Sequence, residues 1–148
     1  MIKVYRKTAT INAEQFDCSD DMFNHYGLID RGGHIVDGLH VDDMCFIPTL
    51  EGQMKINIHD WIATGVNGEH WAIADDVFKQ TYAELPMIPK DVACLIKQDK
   101  EWDYNLGMVF DDAYSGHIWE IGVGEWIIEN SESFARAWLD GYVLEEEK

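Results

Sequence analysis

The chain has 148 residues, enough for one domain or two small ones with a hydrophobic core of useful size. A hydrophobic content of 47% with six tryptophans excludes a disordered acidic tail, which lacks the apolar surface to offset its ordering entropy. Against 11 Lys and Arg stand 28 Asp and Glu, a formal net charge of −17, which disfavours direct binding to DNA, RNA or anionic membrane and points to cationic partners.

In chain order, the β-branched and aromatic residues of 2–6 and 8–16 predict strands. Ser19 or Asp20 can cap a short helix through Met22, Phe23 and Tyr26, closed by Gly27. Gly32-Gly33 marks a turn, and strands are expected over 44–47, 53–58 and 61–64. Gly65-Val66-Asn67-Gly68 reads as a hairpin turn, because Asn-Gly favours positive φ. A strand near 70–74 then leads to a helix over 75–82, with Asp75 and Asp76 at its positive N-terminal end. Pro86 and Pro89 mark the boundary between a strand-rich domain, 1–85, and a helical domain, 86–148.

Beyond the boundary the apolar period becomes helical. Val92, Leu95 and Ile96 are followed by Leu106, Val109 and Phe110, then by Trp119, Val123, Trp126 and Ile127. A last helix carries Phe134, Ala137, Trp138 and Leu139, with Asn130 or Ser131 as its cap and Gly141 after it. Glu145-Glu146-Glu147-Lys148 reads as a frayed tail. The fold class expected is α+β: a small antiparallel, partly barrel-like sheet with one or two helices, then a C-terminal helical bundle. Residues 1–85 are net −8 and residues 86–148 net −9, so the charge belongs to the folded surface of both halves.

Cys45 and Cys94 lie in apolar runs and read as buried thiols, while Cys18 sits among carboxylates that suppress its thiolate. An odd count without C-x-x-C spacing suits a reducing compartment. The N-terminus lacks the apolar core of a signal peptide, and no stretch is long enough to cross a membrane, so a cytoplasmic location is expected.

Two sets of motifs carry a resemblance. Tyr5-Arg6-Lys7, Ala13-Glu14-Gln15-Phe16, Ile47-Pro48-Thr49-Leu50-Glu51-Gly52, Asp60-Trp61-Ile62, Thr64-Gly65-Val66 with Gly68-Glu69, and Phe78 with Thr81-Tyr82 resemble a small phage protein family of Gram-positive prophages. His59 departs from it, since that family usually shows Gly before Asp-Trp. Ile88-Pro89-Lys90, Val92-Ala93 and the run from Phe134-Ala135-Arg136 to Gly141-Tyr142 resemble an uncharacterised helical domain of streptococcal and lactic-acid-bacterial phages. Over 103–124 only periodicity is available. The resemblances imply a phage gene product in a bacterial host cell and imply no reaction.

The catalytic inventory is thin. His34, Asp37 and His40 form H-x-x-D-x-x-H, a spacing without the converging ligands and supporting groups of a metal site. There is no G-x-S-x-G elbow, and the Gly65 turn lacks the Gly-Lys-Ser/Thr of a phosphate loop. The acid pairs Asp20/Asp21, Asp42/Asp43, Asp75/Asp76 and Asp111/Asp112 mostly flank helix starts or turns, where capping accounts for them. No cofactor and no enzymatic activity are expected.

The residues expected to bind a partner are the acids around an aromatic pair: Asp99, Glu101, Asp103, Asp111 and Asp112, read as exposed, with Trp102 and Tyr104 as anchors, and Asp42 and Asp43 in addition. The function they suggest is a phage counter-defence protein that mimics nucleic acid and inhibits a host nucleic-acid enzyme. The favoured target is an RNA-guided CRISPR nuclease with its arginine-lined target channel, a role like that of type II anti-CRISPR proteins. The alternative is a phage ligand-binding or assembly module whose acidity serves solubility. Homodimerisation stays open.

Overall fold

The structure is a computed structural model. It describes residues 1–32, 34–36, 39–41 and 44–146, with side chains over 1–32 and 44–146. The fold is α+β with open sheets, strands lying mostly in the N-terminal part and helices mostly in the C-terminal part. Two compact units divide the chain, Met1–Ala83 and Glu84–Lys148, each with its own buried cluster.

In the N-terminal unit β1 (Asn12–Gln15) pairs antiparallel with β7 (Trp61–Thr64), which pairs in turn with β8 (His70–Ile73). A second sheet sets β5 (Cys45–Thr49) between β2 (Ile29–Asp30) and β6 (Gly52–Ile56), and β3 (His34–Val36) pairs with β4 (Leu39–Val41). Alternation decides which faces are buried: Cys45 and Ile47 point inward along β5, while Pro48 is exposed. They join Phe16, Met22, Ile56, Ile62 and Ala72 in one cluster. Helix α1 (Asp20–Tyr26) starts where the Ser19 hydroxyl accepts the Met22 N–H at 3.4 Å, and it ends at Gly27 with φ +62°. Between β7 and β8 the Gly65 N–H donates to the Glu69 carbonyl at 2.9 Å, closing the expected turn.

The strand expected over 2–6 is absent, and that over 8–16 shrinks to β1. Residues 1–10 are exposed and pair with no strand among the described residues, so β-branched content alone gives no ladder. Helix α2 (Asp75–Thr81) is fixed by its first residue. The Trp61 indole N–H donates to Asp75 Oδ1 at 2.9 Å, Lys79 Nζ donates to Oδ2 at 2.8 Å, and the Trp61 ring stacks on Phe78 with centroids 4.1 Å apart. Lys79 and then Trp61 hold the Asp75 carboxyl below its ordinary range.

The C-terminal unit contains α3 (Lys90–Glu101), α4 (Leu106–Ser115), α5 (Val123–Glu129) and α6 (Ser131–Asp140). They pack through Val92, Leu95, Ile96, Val109, Ala113, Val123, Ile127, Phe134, Ala137 and Trp138. The two ends of the unit are tied by a parallel pair that the sequence reading did not anticipate, β9 (Met87–Ile88) with β10 (Val143–Leu144). The Glu145 N–H donates to the Ile88 carbonyl at 3.0 Å, so the tail is held as far as that residue.

Four expectations are corrected here. Cys94 is exposed, because the buried stripe of α3 runs through Val92, Ala93, Leu95 and Ile96 and leaves position 94 on the outer face. Leu139 and Trp119 are also exposed, Trp119 preceding α5 rather than lying within it. Asn130 does not cap α6 with its side chain; its Nδ2 donates back to the Trp126 carbonyl at 3.0 Å and closes α5.

Candidate functional site

The deepest correction concerns Asp99. It was expected to be exposed, yet it is 9% exposed, the one charged side chain in the core of the described residues. The helix register explains this, because Val92, Ile96 and Asp99 follow one another at i, i+4 and i+7. The carboxylate therefore continues the apolar stripe of α3. It lines a cleft of about 640 Å³ together with Trp102, Tyr104, Asp112, His117, Trp119 and Glu120.

The ends of α3 and α4 build this cleft by one backbone device used twice. At the end of α3, Asp103 takes φ +56°, the Asp103 N–H donates to the Lys100 carbonyl at 3.3 Å, and the Tyr104 N–H donates to the Asp99 carbonyl at 2.9 Å. At the end of α4, Gly116 takes φ +72°, its N–H donates to the Ala113 carbonyl at 3.4 Å, and the His117 N–H donates to the Asp112 carbonyl at 2.9 Å. Both are Schellman motifs. The residue whose carbonyl receives the long closing bond is an aspartate in each, Asp99 in one and Asp112 in the other. The residue that donates it, Tyr104 or His117, lines the same cleft.

Asp99, Asp112 and Glu120 make the cleft acidic, with the imidazole of His117 also on its lining. Helix C-termini carry partial negative charge, and here two of them contribute carboxylates to one concavity. Burial above all, then Asp112 and Glu120, pushes the Asp99 carboxyl above its ordinary range. Among the described residues no group donates a hydrogen bond to that carboxyl and no cation pairs with it. Lys100, its neighbour in sequence, instead donates Nζ to the Trp138 carbonyl at 2.6 Å and lies 5.0 Å from the Trp138 ring centre.

The structure thus brings together Asp99, Trp102, Tyr104 and Asp112 of the expected set. Glu101, Asp103 and Asp111 are exposed and do not line the cleft. Asp42 and Asp43 lie outside the described residues, as does Asp37 of the metal candidate; His34 and His40 are described only as backbone paired with Val41 and Ile35. Among the described residues no group of three His, Cys, Asp or Glu side chains could hold a metal ion. The residues missed were His117, Trp119 and Glu120. Their signal was Gly116 and Gly122, which bracket a short loop between two apolar helical stretches.

The N-terminal unit has a smaller concavity of about 430 Å³, bordered by Phe16, Phe23, Cys45 and Ile56 with Asp20 and Asp30. Among the described residues no buried charged side chain lines it. No helix among the described residues is long and apolar enough to cross a membrane.

No curated protein and no solved structure matches the chain. Residues 83–148, the part that holds the cleft, match a family described as "Protein of unknown function (DUF1642)", and this helical part of the chain is similar to that uncharacterised family.

Proposed function

We propose that the protein is a non-enzymatic phage gene product of the host cytoplasm that inhibits a host nucleic-acid enzyme by presenting carboxylates where that enzyme holds phosphates. An RNA-guided CRISPR nuclease is the favoured target. The observation that carries this reading is Asp99: a buried acid with no cation of its own, beside two further acids, in a chain of net charge −17. Burial and like charge disfavour the ionised form of such a carboxyl unless a counter-charge meets it, so an incoming cationic surface would complete the arrangement. The phage origin rests on the motifs from Tyr5 to Tyr82 and from Ile88 to Tyr142.

The test is inhibition. Purified protein is added to basic nucleic-acid enzymes of the host, the RNA-guided nuclease first, and cleavage and binding are measured at low and moderate salt. Inhibition that fades with salt is expected, because exposed charge pairs are screened over about 8–10 Å. Failure to bind any such enzyme at low salt sinks the reading.

A second reading is a phage ligand-binding or assembly module. The size of the cleft favours it, since about 640 Å³ lies in the range of small-molecule sites, about 300–1,000 Å³. Binding that does not respond to salt would select this reading over the first.

A further inference from the structure

We infer that the cleft between the ends of α3 and α4 is a receptor for one guanidinium group, an arginine side chain presented by a protein partner, with Asp99 as its counter-charge and Trp102 and Trp119 as its flanking rings. The inference rests on the reading above for the partner's basic character, and it adds the site and the chemistry.

Four observations converge. Asp99 is nine-tenths buried, lines the cleft and receives no hydrogen bond among the described residues. Two helix C-termini end there, each adding a partial negative charge to a carboxylate. Lys100, the nearest cation in sequence, is committed to Trp138. Trp102 and Trp119, 65% and 95% exposed, give the cleft aromatic faces in water that are far from the usual state of such large rings.

The chemistry separates the occupants. A divalent metal needs several converging donors, and no such group is present among the described residues. An ammonium is a compact, strongly hydrated point charge that gives up water reluctantly. A guanidinium is planar and weakly hydrated, pairs with carboxylates through parallel N–H donors, and stacks on aromatic faces. It therefore suits a largely buried carboxylate in a cleft that also carries indole rings. A small free cation would leave Trp102, Trp119 and the fully exposed Ile121 uncovered, whereas a side chain carried on a protein surface brings apolar area to cover them.

The full chain, labelled with ¹⁵N, is titrated with a capped peptide bearing a single arginine between leucines. The same peptide with lysine or citrulline, free arginine and spermidine serve as comparators. Amide shifts are expected at Gln98 to Tyr104 and Asp112 to Glu120. The arginine peptide is expected to bind at least tenfold more tightly than the citrulline peptide and than free arginine. Asp99→Asn should weaken it at least tenfold, and Glu120→Gln by a smaller factor. Glu129→Gln, exposed and outside the cleft, should leave it unchanged. Equal binding of citrulline, no loss in Asp99→Asn, or shifts scattered away from these residues overturns the inference. Free arginine or spermidine binding as tightly as the peptide overturns the protein-partner assignment. Peptide binding without inhibition of any host enzyme counts against the proposed function alone, while inhibition that survives Asp99→Asn counts against the cleft alone.

Discussion

Asp99 and Lys100 are adjacent in α3 yet do not neutralise each other: the carboxyl is buried in an acidic cleft, and the ammonium donates at 2.6 Å to the Trp138 carbonyl. One residue of rotation, about 100° around a helix, separates the two directions. Lys100 caps packing at the end of α6, and Asp99 is left with Asp112 and Glu120 as its charged neighbours. Such a pair does not contribute a surface ion pair to stability; it keeps a negative site open.

Asp99→Asn is therefore expected to stabilise the C-terminal unit while weakening partner binding. Burial, with Asp112 and Glu120, raises the folded-state pKa above the ordinary carboxyl value of 3.8, and Tyr104 and His117 are the other titratable groups facing the cleft. The folded chain thus holds this proton more tightly than the unfolded chain. The favourable contribution is fully present below the ordinary value and is lost as pH rises through the elevated one. At pH 7.5 the asparagine variant should be more stable than wild type, and the gain should shrink toward zero near pH 3. Thermal melts at both pH values check it. A gap of equal size at both would show that charge is not the cause.

Asp103→Gly tests what that residue does. Its φ of +56° lies in the left-handed region, which glycine occupies without strain and aspartate only at some cost. Because the closing bonds of the motif run through backbone, the glycine keeps them. A stabilisation of about 0.5–1 kcal/mol is expected in urea unfolding, the relief of the left-handed strain less the added unfolded-state entropy of glycine. Partner binding should change little, since Asp103 is exposed and outside the cleft. A destabilised variant would mean that its side chain, rather than its backbone, holds the turn.

The sequence reveals the helices of the C-terminal unit well because their stripes are long: Val92 to Ile96, Leu106 to Ala113 and Phe134 to Trp138 each repeat at helical spacing. It reveals Ser19 and Gly27 as caps because those roles depend on local backbone chemistry alone. Burial of Asp99 was legible from the same stripe but is overridden when carboxylates are read as surface by default. The pairing of β9 with β10 was not legible, since two-residue strands leave no periodicity and their partners lie far apart in the chain. The convergence of Asp99 with Asp112 and Glu120 depends on how α3 and α4 pack, which no local pattern encodes.

Tyr26 offers a test in the N-terminal unit. Its hydroxyl donates to Glu14 Oε1, tying α1 to β1, and its ring meets His70 edge-on at 5.0 Å. Burial first, then the Glu14 carboxylate, pushes the phenol up to about 12 from 10.0. The neutral phenol is the stabilising form, so its contribution holds below pH 10 and is lost as pH rises from 10 to about 12. Ultraviolet phenolate titration of wild type against Tyr26→Phe isolates this group. Glu14→Gln should move its ionisation to lower pH, and an unmoved titration would show that the carboxylate plays no part.

The exposed acids Glu101 and Asp111 are expected to act on the rate of encounter rather than on the bound state. Both lie outside the cleft, and Asp111 is next to its lining residue Asp112 in α4. Charges in that position shape the field an approaching basic surface meets, and such steering changes association by about 10-fold or more at low salt. The double reversal Glu101→Lys, Asp111→Lys should keep its stability within about 0.5 kcal/mol of wild type, as exposed substitutions generally do. Stopped-flow association with the basic enzyme proposed as its target should slow at least tenfold at low salt, with dissociation nearly unchanged. At high salt the two proteins should associate alike, because the screening length falls to about 3 Å at 1 M. Asp99→Asn should show the opposite pattern, near-normal association and fast dissociation. If both variants altered the same rate constant, Asp99 would be one more surface charge and the cleft would have no separate role.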